Sequence, residues 1–534
     1  MMSERKSDSE LIAFEICFLI SLWSRYSQFT RSRFSLGLEL SGIWSSLQRG
    51  LESSWVVTLT WTLEPAMDTL TGRSSMSRSS TLRLKKVLQI SIWRNRKSMS
   101  SLKRSFVMVC FLAAICIILF IVIYSQTGIR YSIIILSEYN VGKIAQDTLT
   151  PLKGNKTFII APYYDNRQGS LVRVLGIVHH TEVKQLCCYF CCNGQKSLVS
   201  VEGMIDIHSD RFGFPFGLAD INCYEPPDCQ ASYMYLANCS DRDFTSLSRF
   251  EIRNRERKEF SANFTVCIST MYGNFNNVLQ FIQTMEMYKL LGAQKVTIYV
   301  KNCSLWVERI LDYYSKEGLV EVVPWPIQKY LRPSNQWFHD DNDDNDIGYY
   351  GQISTLNDCL YKNMYTSKYV LFNDLDEIIL PFEHMTWDGM MEELQRENPD
   401  AGVFLFESHT FPQTAVTNGD FTGISSWKDV PGFNLLNYVH REPDRPELYN
   451  ARKMIVDPRK TFQLSVHSVL KSFGKTLNVP LKTALVRHCR GPHQPNLSRS
   501  QLIDDRTIWK YNVSLIRRVN QVLKQISLNW KTKT

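Results

Sequence analysis

The chain has 534 residues, 44% hydrophobic and 21% charged, which is enough for two or three domains with cores of their own. Its net charge is +9, but residues 1–105 hold 16 Lys/Arg against 8 Asp/Glu, so nearly all of the excess sits there. The near-neutral remainder excludes a body that binds nucleic acid, because tracking a phosphate backbone needs a concentrated basic surface.

Residues 1–98 are rich in Ser, Arg and Trp and show no lasting helical or strand period, so they read as a dispensable extension of a basic cytoplasmic tail over 1–105. Met99 stands just ahead of Lys103 and Arg104. Phe106 to Tyr124, FVMVCFLAAICIILFIVIY, then runs without a charge and is long enough to cross the hydrocarbon core. The basic flank predicts that this end stays cytoplasmic and that the bulk of the chain lies across the membrane. Sequons at Asn155, Asn238, Asn263, Asn302, Asn496 and Asn512 all follow the span, as do eleven of the 14 cysteines. Both patterns agree with an oxidising, lumenal compartment. The cluster Cys187-Cys-x-x-Cys191-Cys192 has no histidine at ligand spacing and reads as disulfides or buried thiols rather than zinc.

Residues 125–155 read as a stem. TFIIAPYYD, LVRVLGIVHH, QLCCYFCC and SLVSVEGMIDI then predict a β-rich domain over 156–255, followed by a charged linker at Glu251 to Glu259. From Asn263 the period changes. Phe264 to Thr270 predicts a strand, Phe275 to Leu291 a helix ending at Gly292, and Lys295 to Val300 a strand. Leu305 to Ser315 predicts a helix and Leu319 to Val323 a strand. The acidic run Asp340 to Asp346 lacks the terminal Glu of an EF-hand and reads as a solvated loop. A helix over Tyr350 to Tyr365 and a strand at Tyr369 to Phe372 complete a β-α-β-α-β order, which predicts a mostly parallel sheet with helices on its faces over 260–500. Residues 501–534 read as a C-terminal extension.

The last strand stops at Asp374-Leu-Asp376-Glu377. Carboxylates at i and i+2 of an extended segment share a side. A pair of them at the end of a buried strand is a seat for Mg²⁺ or Mn²⁺, which bind through one or two carboxylates and complete their shell from substrate phosphates. Glu377 is expected to face the other way, as an anchor.

Tyr350-Gly-Gln352, Asn357-Asp-Cys359-Leu360 and Asn373-Asp-Leu-Asp-Glu377 resemble glycosyltransferase family 92. So do Ala161-Pro-Tyr-Tyr-Asp-Asn-Arg167, Tyr449-Asn-Ala-Arg-Lys-Met-Ile455, Ser465-Val-His467-Ser468 and Arg487-His-Cys-Arg490. The blocks run in order from about 156 to 495; residues 1–155 gain nothing from the likeness. The resemblance implies a GT-A nucleotide-sugar fold and a single-pass type II Golgi membrane protein. It also implies inverting transfer of galactose from UDP-galactose to a glycan acceptor.

Asp374 and Asp376 are the metal and diphosphate candidates, with the division of tasks between them open. His467 and His488 are candidates for a further Mn²⁺ ligand. Arg490 and Arg452 are candidates for clamping phosphate oxygens. Thr270, Tyr272 and Asn274 follow the first strand of the sheet, where a nucleotide binds in α/β folds, and Tyr272 is a stacking surface for uracil. Inverting transfer needs one general base. Glu407, after an apolar strand, is the first candidate, and Asp429 and Asp457 are rivals. The competing readings are a non-catalytic glycan-binding ectodomain and a metal-dependent phosphohydrolase.

Overall fold

The computed structural model describes residues 143–526, except 193–196, 242–246, 257–258, 341, 418, 420, 422 and 446–449. Before these it describes Trp55–Glu64, Lys85–Arg94, Ser132–Ile135 and three helical positions, Met108, Leu112 and Ile115. The chain divides into two compact units, Met1–Gly128 and Ile129–Thr534. In the first unit, Trp55–Glu64 pairs antiparallel with Lys85–Arg94. This corrects the expectation of no strand period: Val57, Leu59, Trp61 and Leu63 alternate with threonines, a two-residue repeat that a view of the whole segment averages away. The expected span, Phe106 to Tyr124, lies outside the described residues but for its three helical positions. Among the described residues no helix is long and apolar enough to cross a membrane.

The second unit holds a nine-stranded sheet. Its strands are β1 (Ala262–Met271), β2 (Lys295–Val300), β3 (Val320–Pro324), β4 (Ser367–Phe372), β5 (Glu377–Pro381), β6 (Ala401–Pro412), β7 (Arg452–Val456), β8 (Lys475–Asn478) and β9 (Ala484–Arg490). The helices are α1 (Val278–Leu291), α2 (Leu305–Lys316), α3 (Gln352–Lys362), α4 (Trp387–Glu397) and α5 (Asn512–Ile526). Spatial order is β3-β2-β1-β4-β7-β6-β9-β5, with β8 also paired to β6. The first four are parallel, as the β-α-β-α-β pattern requires. The sheet as a whole is mixed, because β7 runs antiparallel to both β4 and β6, and β5 antiparallel to β9. After Asp374 the helix-strand alternation that betrays parallel pairing gives way to long loops, so sequence periodicity carried no orientation for these strands.

Local signals set the element ends. Gly292 closes α1 in the left-handed region, at φ 105°, which only glycine adopts cheaply. Ser304 caps α2 by accepting the Val307 N–H at 3.3 Å.

Ahead of this sheet lie two five-stranded antiparallel sheets. Residues 132–135 and 150–151, read from sequence as stem, each supply a strand to one of them. Ile159, Val172, Val174, Phe190 and Leu236 form the core between the two sheets. Cys188–Cys223 joins the two sheets, Cys187–Cys239 closes within one of them and Cys192–Cys229 ties residues beside their strands, so the cysteine cluster is not a zinc site. Phe158, Ile160, Leu175 and Ile177 instead meet Leu356 and Leu360 of α3 and Val370 of β4. One layer therefore backs directly onto the nine-stranded sheet. A fourth disulfide, Cys267–Cys359, ties β1 to α3.

Buried charge closes this seam. Asp220 accepts from Arg173 at 2.7 Å and from Gln463, in the segment between β7 and β8, at 2.8 Å, and it faces His208 at 3.1 Å. Asp165 binds Arg167, whose Nη1 reaches the Thr461 carbonyl at 2.6 Å. The C-terminal segment is no appendage: Leu515, Val519 and Val522 of α5 are buried in the core that holds α1 and α2.

The helix α5 and the charged seam each make a stability prediction. Leu515→Ala should cost about 2–5 kcal/mol by urea unfolding; a midpoint equal to wild type would contradict the packing of α5. Burial alone would raise the Asp220 carboxyl, but His208, Arg173 and Gln463 hold it down at about 2. A carboxyl lowered in the fold stabilises above its unfolded value of about 4 and loses that contribution as pH falls toward 2. Asp220→Asn should therefore cost roughly 3–5 kcal/mol at neutral pH and flatten the acid limb of the stability curve below pH ~4. Thermal melts from pH 7 to pH 2 would measure both effects.

Candidate active site

The site lies at the carboxyl ends of β1 and β4, where open α/β sheets leave a crevice. Its entry to α3 is bent. Tyr349, Tyr350 and Gly351 have φ of 41°, 53° and 74°, three left-handed residues in a row of which two are tyrosines. The Tyr350 N–H bonds the Ser334 carbonyl at 3.1 Å, and Trp325 Nε1 donates to the Tyr350 carbonyl at 2.8 Å. Surroundings that fix both backbone groups can hold such strain, which clusters at functional sites. The bend delivers Gln352, whose Nε2 donates to Ser269 Oγ at 2.6 Å and lies 3.4 Å from Asp374 Oδ1.

β4 ends at Phe372, and Asp374 to Asp376 form a turn before β5. The premise of an extended segment is thereby corrected. The Glu377 N–H closes back on the Asp374 carbonyl at 3.2 Å, and Glu377 Oε2 accepts the Asp374 N–H at 3.1 Å. Glu377 is therefore swung into the cluster rather than away from it, because a turn does not keep the two-residue alternation of a strand. α1 holds the turn from behind: Thr284 donates to the Leu375 carbonyl and Tyr288 to the Glu377 carbonyl, both at 3.0 Å.

Lys453 of β7 sits at the centre. Its Nζ is 2.7 Å from Asp374 Oδ2 and 2.9 Å from Glu377 Oε2, and its side chain is almost wholly buried. His488 of β9 bridges Asp376 and Glu377, with Nε2 3.0 Å from Asp376 Oδ2 and Nδ1 3.2 Å from Glu377 Oε1. Burial would lower the pKa of Lys453, but the two carboxylates outweigh it and raise it. The same ammonium holds Asp374 below its ordinary value against the opposing effect of burial. Burial dominates at Glu377 and raises it. At His488 burial favours the neutral ring, yet Glu377 and Asp376 prevail and raise its pKa. Three carboxylates face one ammonium, so the cluster keeps formal charge −2 with neutral His488 and −1 with it protonated.

That residual charge, on two Asp side chains each more than a third accessible, fits a hard divalent cation held by two protein oxygens. His467 donates from Nδ1 to the Arg452 carbonyl at 2.9 Å, which leaves Nε2 as an acceptor; burial first, then Lys453, lowers its pKa and keeps the ring neutral. The four predicted ligands Asp374, Asp376, His467 and His488 do not converge on one point. Among the described residues, the one trio of metal-capable groups with ligand atoms within 4.8 Å of one another is Glu407, His409 and Asp444.

The remaining candidates are scattered. Thr270 is buried and lies 3.5 Å from the Tyr350 carbonyl. Tyr272 stacks on Tyr350 with centroids 4.1 Å apart, so one of its ring faces is already covered. Asn274 is exposed in the loop after β1, and Arg490 is exposed at the end of β9. Glu407 stands opposite Arg452 at the same edge of the sheet as Asp374. Asp457 pairs with Arg459 at 2.7 Å near the start of β4, at the far edge, and Asp429 is exposed in the loop after β6. Sequence reasoning missed Lys453 and gave Gln352 no role. A lysine leading into the buried run Met454-Ile-Val456 was the available signal, since lysine is almost never buried unless paired.

Comparison with known proteins agrees with this geometry. The sequence profile of Glycosyltransferase family 92 matches residues 262–521. A Caenorhabditis elegans protein named beta-1,4-galactosyltransferase galt-1 is 24% identical over 238 residues, 42% of this chain and 51% of that protein. A Caenorhabditis elegans protein named as a member of glycosyltransferase family 92 is 25% identical over 42% of this chain and 41% of its own length. An Arabidopsis thaliana galactan beta-1,4-galactosyltransferase is 22% identical over 41% of this chain and 40% of its own. The chain thus spans about half or less of the curated relatives it matches. Profile, relatives and the carboxylate turn point the same way: the chain carries a glycosyltransferase family 92 domain at residues 262–521.

Proposed function

We propose that this domain is an inverting, metal-dependent galactosyltransferase that moves galactose from UDP-galactose to a glycan hydroxyl. The observation that carries the reading is the anionic turn Asp374 to Glu377 at the end of a central strand, only partly neutralised by Lys453 and His488. The names of the Caenorhabditis elegans and Arabidopsis thaliana galactosyltransferases among its relatives support the sugar. We further propose that the protein is anchored in the Golgi membrane through Phe106 to Tyr124, with the domain lumenal, on the strength of the uncharged run, its basic flank and the sequons beyond it.

Bound Mn²⁺ or Mg²⁺ would supply charge to offset the diphosphate and stabilise the leaving UDP. Asp374 and Asp376 would hold it. The chain does the rest. Lys453 and Gln352 fix the Asp374 carboxylate from opposite sides, and His488 fixes Asp376, so little reorganisation is left for the moment of reaction. Glu407 is the base candidate placed at this edge of the sheet.

The metal-supplemented domain should release UDP from UDP-galactose, and Asp374→Ala or Asp376→Ala should lower the rate by about 10²–10³-fold or more. Turnover unchanged in the double variant would remove these residues from the mechanism, and a wild-type protein that binds no UDP with any divalent ion would leave the glycan-binding reading. Lys453→Met should lower the melting temperature of the metal-free protein, since two carboxylates lose their partner. It should also tighten Mn²⁺ by about tenfold, because the ammonium no longer competes for Asp374; calorimetric titration reads this directly.

A further inference from the structure

A shallow cleft of about 390 Å³, open to solvent, lies where one antiparallel sheet meets the entry to α3. Two segments line it: the loop Asp210 to Phe212, ahead of the strand Phe216–Tyr224, and Trp337 with the bend at Ile347 to Gln352. Backbone bonds tie the segments together. The His339 N–H donates to the Phe212 carbonyl at 3.0 Å, and the Phe216 N–H to the Asp346 carbonyl at 2.9 Å. Gly348 permits the close approach, since a Cβ there would lie 2.6 Å from the Phe214 ring. Gln352 lines the cleft and lies 3.4 Å through Nε2 from Asp374 Oδ1, so the cleft adjoins the carboxylate turn.

Its lining is aromatic and strained. Trp337 stacks on Tyr349 with centroids 4.7 Å apart, and Phe212 stands edge-on to Trp337 and to Phe338, at 6.1 Å and 5.5 Å. Trp337 is only half-buried, and Phe338 is 71% exposed. Among the described residues, six that are not glycine have positive φ. Three are Asn or Asp, whose short polar side chains tolerate it. The others are Phe212 and Tyr349, which line the cleft, and Tyr350 beside them. Bulky residues keep such backbone only where the surroundings over-determine it, and such strain clusters at binding sites. Charge then decides what fits. Asp210 and Arg211 are the charged residues in the lining, of opposite sign, and the Arg211 guanidinium donates to the Phe214 carbonyl. The acidic run Asp340 to Asp346 begins two residues after Phe338 and ends one before Ile347. This balance disfavours a diphosphate or any other anion. A neutral hexose suits it: C–H groups on one face pack on aromatic rings, and hydroxyls round the edge meet a few polar groups. Gln352 Oε1 is buried without a hydrogen-bond partner, an unmet acceptor beside the cleft.

We propose that this cleft is the acceptor subsite, in which the exposed ring surfaces of Trp337 and Phe338 carry the terminal neutral hexose of the glycan beside the carboxylate turn. The inference rests on the transferase reading above. Trp337 and Phe338 bind and orient the sugar and take no part in bond making. Phe212 fixes both rings from the antiparallel sheet, which gives that sheet a part in choosing the acceptor.

The test uses full-length protein with Mn²⁺, UDP-galactose as donor and either β-1,4-galactobiose or water as acceptor, read by UDP release. Galactobiose should speed release by the wild-type protein in a saturable way. Trp337→Ala should raise the KM for galactobiose about tenfold or more, with the KM for UDP-galactose within about twofold of wild type. Trp337→Phe, which keeps a ring, should recover much of the loss. Where Trp337→Ala does not fold, Phe338→Ala decides: its side chain is exposed, so it should melt as wild type does and still raise the galactobiose KM about threefold or more. A galactobiose KM unmoved in the folded alanine variant would overturn the proposal. So would an equal rise in the KM for UDP-galactose, which would make the cleft part of the donor site. Release to water that galactobiose does not speed would also overturn the subsite, while the transferase reading stands. A wild-type protein that releases no UDP with either acceptor fails at the transferase reading itself, and the subsite falls with it.

Discussion

The buried ammonium of Lys453 is what the site is built around. Without it, the turn after β4 would bring Asp374 and Glu377 together with only His488 to offset their charge, and close carboxylates in a shielded place favour one of them staying protonated. With it, Asp374 is held ionised and partly accessible while Glu377 sinks into the protein as a structural brace. The arrangement balances two needs. The turn must be stable in the absence of ligand, and it must stay anionic enough to attract a cation carrying a diphosphate. A single lysine against three carboxylates meets both.

α3 transmits the rest of the fold to this turn. Its first residue, Gln352, touches Asp374, and its buried middle is bolted on several sides. Asn357 bonds both backbone groups of Leu464, and Asp358 accepts from Tyr163 at 2.7 Å and Tyr299 at 2.6 Å. Tyr163 belongs to the antiparallel sheet in front and Tyr299 to β2, so one carboxylate joins both sides of the helix. The strained tyrosines before α3 are tolerable because the helix they enter cannot shift.

Much of this was legible in the sequence, for reasons that also mark where legibility ended. β1 through β4 and their helices are adjacent in the chain, and each carries its own period and stop signal, so local reading reached the end of β4 and the aspartates beyond it. The later strands depend on distant partners. β7 enters between β4 and β6 after a long loop, and only there does Lys453 meet Asp374, 79 residues away in sequence. Glu377 was misjudged because a strand was extended through what is a turn. The C-terminal helix was set aside because an amphipathic segment at a chain end does not announce which core it covers. Glu407 was picked out as a carboxylate after an apolar run, yet β6 continues past it to Pro412, because Phe406 and the residues after Ser408 keep the strand buried.

The bond between Cys267 and Cys359 has a consequence for biogenesis. Both cysteines are fully buried, in the core between the nine-stranded sheet and the antiparallel sheet that carries Phe158. An oxidant cannot reach them once the antiparallel sheets have docked, nor can glutathione afterwards. The thiols must therefore be joined while that layer is still open, 92 residues apart along the emerging chain. Chains that close too early would be trapped with α3 untethered from β1.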